Sequence, residues 1–148
     1  MKGRKFLKGM FRIIAITIVV TAIQMALRIG LDGMWLFCIP KASVVTSVTI
    51  VYQNGEEQRR EITDPEQIEF CVNVTAFLRY KPFADAEMTD EEGPVITLHY
   101  HLDQGGEVEV TGSNKIVSYQ GKTRLLKDDH TFINFMEGMF FPVEEIRE

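Results

Sequence analysis

The feature that most constrains this chain is an uncharged apolar segment close to its N-terminus. Five basic residues precede it, and residues 13–27 then contain no charged side chain. A basic start followed by an apolar stretch is typical of an export signal or a membrane anchor. The segment would form roughly 22 Å of helix against a hydrocarbon core of about 30 Å, and Arg12 and Arg28 can lengthen the span by reaching toward the headgroups. The side chains predicted to lie in the bilayer are Ile13, Ile14, Ile16, Ile18, Val19, Val20, Ile23 and Leu27.

Three interpretations of this segment are open: a retained anchor, a cleaved signal, and an apolar helix buried in a cytoplasmic protein. The stretch from Val20 to Ala22 could be cut by a signal peptidase, whereas Gln24 fits poorly before a cut at Ala26. Bulky residues directly before Cys38 exclude a lipoprotein signal there. We favour the retained anchor.

The distribution of charge predicts the orientation of that anchor. Basic residues concentrate before the segment, so the positive-inside rule leaves the N-terminus in the cytoplasm. Of 16 Lys and Arg and 21 Asp and Glu, six basic residues and no acidic ones lie within residues 1–28, which gives residues 29–148 a net charge of −11. So acidic a surface should repel nucleic acid and anionic lipid. The expected partners are the lipid bilayer, through the anchor, and a possible protein partner at the membrane.

Length and pattern divide the chain into five parts, with room for one hydrophobic core. These are a cytoplasmic basic segment (1–12), a transmembrane signal anchor (13–31), a juxtamembrane connector (32–43), an extracytoplasmic α+β domain (44–141) and an acidic tail (142–148).

The first half of the domain is predicted to contain a hairpin and a helix. Residues 46–52 are rich in β-branched side chains and lead to Asn54-Gly55, a dipeptide suited to a type I′ turn. The return arm at 57–62 is charged on both faces, as in an exposed edge strand. Asp64 then caps a helix. Its apolar residues predict burial on more than one side: Ile68, Phe70, Cys71, Val72, Val74, Phe77 and Leu78.

The second half is predicted to contain two hairpins and a helix. Residues 94–102 alternate strictly, and a three-residue turn at 104–106 would place His101 opposite Glu109. A short hairpin follows at 115–126, and a last helix begins at Asp128 as cap. This helix is expected to bury Phe132, Ile133, Phe135, Met136, Met139 and Phe140. The predicted fold is α+β, with an N-terminal transmembrane helix and then an antiparallel sheet of five to six strands that carries both helices on one face.

Two histidines supply the clearest candidate site. His99 and His101 project from the same face of one strand, and Glu107 or Glu109 opposite could add an oxygen ligand. The predicted metal site for zinc or copper is His99, His101 and Glu109. The alternative is a solvated sheet face on which His101 pairs with Glu109.

The other acidic residues and the cysteines do not indicate a specific binding or catalytic site. The acidic residues from Asp85 to Glu92 match no EF-hand spacing and are interpreted as a solvated loop or a contact for a basic partner. Cys38 and Cys71 are expected to be free thiols. The chain has no Gly-x-Ser-x-Gly, no His-Glu-x-x-His and no phosphate-binding glycine loop, so we expect neither catalysis nor a cofactor.

Several segments resemble small single-pass exported proteins of Clostridia and related Firmicutes, a family without an assigned activity. They are Ile39-Pro40, Ile62-Thr63-Asp64-Pro65-Glu66, Tyr80-Lys81-Pro82-Phe83, Gly93-Pro94-Val95-Ile96-Thr97 and residues 132–141. The resemblance implies a bacterial cell-surface setting and supplies no ligand.

The predicted function is a membrane-anchored, extracytoplasmic, non-catalytic binding or interaction module. One alternative is a metal-binding or metal-sensing domain that uses His99 and His101. Another is an accessory subunit of a membrane protein, whose anchor would contact its partner through Thr17, Thr21 and Gln24.

Overall fold

A computed structural model describes residues 2–84, 86–87 and 93–141. Most of the predicted acidic loop (Asp85 and residues 88–92) and the predicted acidic tail (142–148) lie outside the described residues. The described helices are α1 (Lys2–Asp32), α2 (Pro65–Phe77) and α3 (Thr131–Phe140). The described strands are β1 (Met34–Trp35), β2 (Val45–Asn54), β3 (Glu56–Ile62), β4 (Arg79–Tyr80), β5 (Val95–Leu102), β6 (Glu107–Gly112), β7 (Ile116–Tyr119) and β8 (Lys122–Leu125).

Six of these strands form one antiparallel sheet in the order β3-β2-β5-β6-β7-β8. Alternate residues of its strands point to a face that α2 and α3 cover, and the opposite face keeps polar side chains half-buried or exposed. The predicted α+β fold is therefore confirmed. The largest fully buried side chains of the core are Tyr100, Phe132, Ile50, Ile96, Leu98, Leu126 and Met136.

Helix α2 begins as its sequence predicts. The Asp64 carboxylate accepts a hydrogen bond from the Gln67 amide at 3.1 Å, and Pro65 occupies the first turn. Of the seven apolar residues expected to be buried, Phe70 and Phe77 are instead 37% and 76% exposed. The buried residues of the helix form a broad stripe facing the sheet: Ile68, Cys71, Val72, Val74 and Thr75.

The carboxyl end of that stripe holds a buried hydrogen-bond network. The Tyr100 hydroxyl lies 2.6 Å from the Thr75 hydroxyl and donates to the Cys71 carbonyl at 2.9 Å. Both side chains have no solvent exposure. The network thus joins α2 to the middle of β5 with its polar atoms satisfied.

Helix α3 packs against the sheet at Gly112, which has no side chain. A Cβ atom added to Gly112 would lie 2.3 Å from Cδ1 of Phe132, so the Phe132 ring rests directly on the β6 backbone. The predicted cap of this helix is wrong: His130 holds the N-cap position with a φ of 63°, and Asp128 instead pairs with Arg79 at 2.9 Å. Phe135, expected in the core, is 50% exposed, because it lies on the side of α3 that faces away from the sheet.

The hairpins form where they are predicted, and Gln120-Gly121 is the turn of the last one, whereas the type I′ turn predicted at Asn54-Gly55 does not form. At the β2–β3 turn only Gly55 has a positive φ, and Gln53 pairs with Glu57, so the turn is not type I′. The β7–β8 turn has the two positive φ values that type I′ requires, at Gln120 (51°) and Gly121 (70°).

The β5–β6 pairing differs from the prediction by two residues. His101 lies opposite Glu107 and His99 opposite Glu109, so the predicted pairing of His101 with Glu109 is wrong. The Leu102 amide donates to the Gly106 carbonyl at 3.1 Å, which leaves residues 103–105 as the loop. A shift of two residues keeps every side chain on its expected face.

The end strands of the sheet are protected in two ways. Strand β3 carries charged side chains along nearly its whole length and lies at one edge, as predicted. At the other edge, the Lys81 amide donates to the Leu125 carbonyl at 2.8 Å and Tyr80 bridges to Leu126, so the chain after β4 covers β8.

The residues after α1 are attached to the domain. Strand β1 pairs with β4, and Leu36 is only 6% exposed in the core. The Cys38 carbonyl accepts a hydrogen bond from the Tyr119 hydroxyl at 2.6 Å. The connector thus contributes two strand residues and one core residue.

Candidate functional site

The candidate site is a cluster of ring nitrogens and carboxylates on the polar face of the sheet. His99 Nδ1 lies 2.6 Å from Glu107 Oε1 and 3.8 Å from Glu109 Oε2. These three groups place one potential ligand atom each within 4.8 Å of one another. We call His99, Glu107 and Glu109 the His/Glu cluster.

Two strands position the cluster through the cross-strand ladder. His99 of β5 is directly opposite Glu109 of β6, and Glu107 lies two residues farther along the same face. Directly opposite positions on one face of an antiparallel pair hold their Cβ atoms about 5 Å apart, and diagonal positions such as His99 and Glu107 about 7–8 Å apart, which long side chains can still span. The backbone therefore fixes the spacing, while the exposed tips of the glutamates can adjust.

His101 extends the cluster on the side of β2. Its Nδ1 lies 3.3 Å from Glu107 Oε2, and its Nε2 lies 3.0 Å from the Thr49 hydroxyl. The contact with Thr49 orients the ring so that Nδ1 faces the carboxylate. Glu107 consequently bridges two imidazoles, one with each of its oxygens.

The protonation pattern of this arrangement can be stated from the contacts. An ionised carboxylate only accepts hydrogen bonds, so the 2.6 Å contact between His99 Nδ1 and Glu107 is a hydrogen bond when Nδ1 carries the proton. For metal binding, the proton on His99 Nδ1 must leave, because a ligating nitrogen presents its lone pair. The site can therefore hold either protons or a cation.

The predicted ligand set is only partly brought together. His99 and Glu109 approach each other as expected, whereas His101 reaches the cluster through Glu107. The sequence leaves Glu107 and Glu109 as equivalent candidates, yet in the structure Glu107 makes the shortest contacts with both histidines. The alternation of the two strands could not single it out, because both glutamates lie on the same face.

An open cleft lies beside the cluster, at the end of β6 that β7 does not pair. It has a volume of about 460 Å³ and is lined by Glu107, Glu109, Cys38 and Tyr119, among others. Cys38 is an exposed free thiol, and Cys71 is a buried one. Burial raises the pKa of the Cys71 thiol to about 12, so Cys71 remains protonated and unreactive at neutral pH.

The N-terminal helix is the other candidate functional element. Within the described ranges, one helix has the length and composition to cross a membrane, Leu7–Asp32, with 26 residues. None of its apolar stretch is buried against the rest of the chain. Thr17 and Thr21 each donate their hydroxyl hydrogen to the carbonyl four residues earlier, at 2.9 and 2.8 Å.

The predicted anchor side chains are all exposed on this helix. They are Ile13, Ile14, Ile16, Ile18, Val19, Val20, Ile23 and Leu27, each between 47% and 67% exposed. Their exposure leaves the apolar surface of the helix free for lipid.

Comparisons of the chain with protein-family models, with curated proteins and with solved structures found no match.

Proposed function

We propose that the protein is a membrane-anchored, non-catalytic binding module whose domain lies outside the cytoplasmic membrane and whose N-terminus lies inside. The observation that carries this proposal is the burial of the N-terminal helix: none of its apolar stretch is covered by the domain. So large an apolar surface is unfavourable in water, by about 25 cal/mol for each Å² left exposed. A helix from the core of a soluble protein would be packed on at least one side.

The charges on either side of the helix support the proposed orientation. Five basic residues precede the apolar segment, and the residues from 29 onward are strongly acidic. Basic residues are retained on the cytoplasmic side during insertion. The polar face of the sheet, with the His/Glu cluster, is the surface proposed for binding a protein partner at the membrane.

The two cysteines provide a direct test of this topology. Cys38 is exposed and Cys71 is buried, so a membrane-impermeant maleimide should label one thiol per chain. We expect labelling of intact cells, and no labelling of the Cys38→Ser variant. The intact mass of the labelled chain reports in the same experiment whether residues 1–22 are retained.

The opposite results would contradict the proposal. If Cys38 reacts only after the cells are lysed, the domain is cytoplasmic. If the labelled protein is shortened and released into the medium, the N-terminal segment is a cleaved signal.

A second candidate function, binding of a divalent transition-metal ion, is favoured by the His/Glu cluster. Its three potential ligand atoms come from one nitrogen and two oxygens, a donor set that suits Zn²⁺ and Cu²⁺. Ligand atoms about 2.1 Å from a tetrahedral ion lie roughly 3.4 Å from one another. The separations of 2.6 and 3.8 Å from His99 bracket that value.

His101 could serve as the fourth ligand after a small movement of Glu107. If its Nε2–H donates to the Thr49 hydroxyl, the Nδ1 lone pair is free to face the ion. Hydrogen bonds of this kind to the distal nitrogen orient metal-binding histidines.

Calorimetric titration of the full chain in detergent micelles with Zn²⁺ and then Cu²⁺ tests this candidate. We expect heat of binding that the double variant His99→Gln, His101→Gln removes. The matched control is His130→Asn, which changes the third histidine and keeps a residue tolerant of a positive φ. If the heat of binding persists in the double variant, or if Ca²⁺ produces the same heat, the cluster is a solvated ion pair and not a transition-metal site.

A further inference from the structure

We infer that the domain docks against the bilayer surface through an aromatic patch formed by Trp35, Phe37 and Phe77. The patch lies on the ribbon of β1 and β4 and its flanking residues. This inference rests on the proposed anchoring of α1 in a membrane, and it adds which surface of the domain faces the lipid.

The pairing of the ribbon separates an inward and an outward face. Trp35 is opposite Arg79 and Met34 opposite Tyr80, and the Leu36 amide donates to the Leu78 carbonyl at 3.4 Å. Leu36 and Leu78 are buried, whereas Trp35 is 56% exposed. Trp35 therefore points away from the core.

Two more aromatic side chains flank this outward position. Phe37 follows Trp35 by two residues and is 59% exposed, and Phe77 precedes Arg79 by two residues and is 76% exposed. The pairing of Trp35 with Arg79 and the hydrogen bond from Leu36 to Leu78 lead on to Phe37 in one segment and Phe77 in the other, so the inferred patch places these two rings on the same side of the ribbon. Tryptophan and other aromatic side chains favour the membrane–water interface, where the ring is shielded and its polar edge stays hydrated.

The junction with α1 places the ribbon at the height of the headgroups. Gly33 alone separates the last residue of α1, Asp32, from the first residue of β1, Met34. Gly33 has a φ of 77°, and a Cβ atom there would lie 2.9 Å from the Tyr80 carbonyl oxygen. The end of the helix thus abuts β4, and no length of chain is left over to lift the ribbon away from the membrane.

Three basic side chains lie on or next to the β1–β4 ribbon, although the domain as a whole is acidic. Arg79 and Lys81 belong to or follow β4, and the Lys127 side chain lies 3.3 Å from the position of a Cβ on Gly33. Arg79 is paired with Asp128, while the Lys81 side chain is exposed. Aromatic rings bordered by long basic side chains match the composition of an interfacial belt.

Trp35 is the single tryptophan of the chain and gives the experiment a native fluorophore. The full chain is reconstituted in phosphatidylcholine vesicles that contain phosphatidylcholine brominated on its acyl chains, and quenching is measured. Quenching of Trp35 itself would not test docking, because Trp35 follows the anchor closely in the chain and would lie near lipid in either case. The decisive variant is therefore Trp35→Phe, Phe77→Trp, which moves the probe to the other strand of the ribbon.

The matched control is Trp35→Phe, Phe135→Trp, since Phe135 is also exposed, at 50%, and lies on α3. We expect brominated lipid to quench a tryptophan at position 77 strongly and aqueous iodide to quench it weakly, with the reverse at position 135. If position 77 is open to iodide, or if position 135 is the one quenched by lipid, the inferred patch is wrong.

Two controls separate this inference from the proposal beneath it. Vesicle flotation shows whether the chain is inserted, and a chain that does not float overturns the anchoring and the docking together. A chain that floats but leaves position 77 in water overturns the docking alone. Protection of Cys71 from maleimide verifies folding, and Trp35→Phe, Phe37→Trp replaces the first variant if that protection is lost.

Discussion

The two faces of the sheet are built by the same strands on different principles. On the inward face, Leu98 and Tyr100 have no solvent exposure, and Val110 lies beside them equally buried. On the outward face, His99 and Glu109 of the same two strands remain partly or largely exposed. The inward face is fixed by packing, whereas the outward face is fixed by the backbone and held only loosely by its side chains.

The inward face therefore supplies most of the stability of the fold, whereas the outward face carries the polar side chains that are accessible to other groups. A buried contact is lost in full when its partner is removed, because no solvent molecule replaces it. An exposed contact exchanges with water at little cost. The outward residues can therefore change partner, from a proton to a cation or a protein, without affecting the core.

The largest expected effect comes from a cavity in the inward face. Leu98→Ala should lower the free energy of unfolding by about 2–5 kcal/mol, because a buried leucine leaves a void that the sheet cannot fill. Its neighbour Thr97, whose hydroxyl lies 3.0 Å from that of Thr111 on the outward face, gives the matched variant. Thr97→Ala should cost about 1 kcal/mol or less. Equal losses in urea titrations of the two variants would show that the faces do not differ as described.

A slightly smaller effect is expected from excess volume. Gly112→Ala places a methyl group where the Phe132 ring lies, so α3 or β6 must move, at a cost of roughly 1–3 kcal/mol. Gly138→Ala in α3 is the control, since a Cβ there meets nothing within 4 Å. That control should stabilise the chain by about 0.4–1 kcal/mol. Thermal unfolding of both variants measures the contrast.

The buried network predicts a dependence on alkaline pH. Desolvation raises the pKa of Tyr100 above its ordinary value, and that of Cys71 to about 12. The folded chain holds these protons more tightly than the unfolded chain does, so their contribution is complete below about pH 9 and declines as the pH rises through the folded values. Tyr100→Phe should cost about 1 kcal/mol at neutral pH and make the alkaline decline shallower. Urea titrations at neutral pH and at about pH 11 test this, and an unchanged slope would contradict it.

The smallest effect is expected from the His/Glu cluster in the metal-free chain. Glu107→Gln removes the charge that bridges His99 and His101, yet exposed ion pairs contribute only about 0–1 kcal/mol. The free energy of unfolding should change within that range, while the tautomer of His99 in ¹⁵N NMR spectra shifts away from Nδ1–H. A loss as large as that of Leu98→Ala would mean that the cluster stabilises the fold.

Alternation in the sequence predicted the faces of the strands but could not predict their register. Side chains in a strand repeat every two residues, so the pattern from Ile96 to Leu102 is satisfied equally well by two pairings that differ by two residues. Glycines at 105 and 106 allow either loop, because both tolerate a positive φ. The identity of the glutamate opposite His101 depended on that choice.

Sequence signals predicted a helix cap correctly where the interacting groups are close in the chain. They failed where a residue distant in the sequence binds the capping side chain instead. Asp64 caps α2 because its target amide is three residues away. Asp128 has the same chemistry, but Arg79 attracts it and the backbone of His130 starts α3 instead. The exposure of Phe77 and Phe135 likewise depends on which side of each helix meets the sheet, and composition alone does not determine that side.

The protected edges of the sheet matter more for a tethered chain than for a free one. Confinement to a plane raises the local concentration of copies and aligns them, so that strands would meet side by side far more often than in solution. If the chain is anchored as proposed, the charges along β3 and the segment that covers β8 would oppose extension of the sheet from one copy to the next.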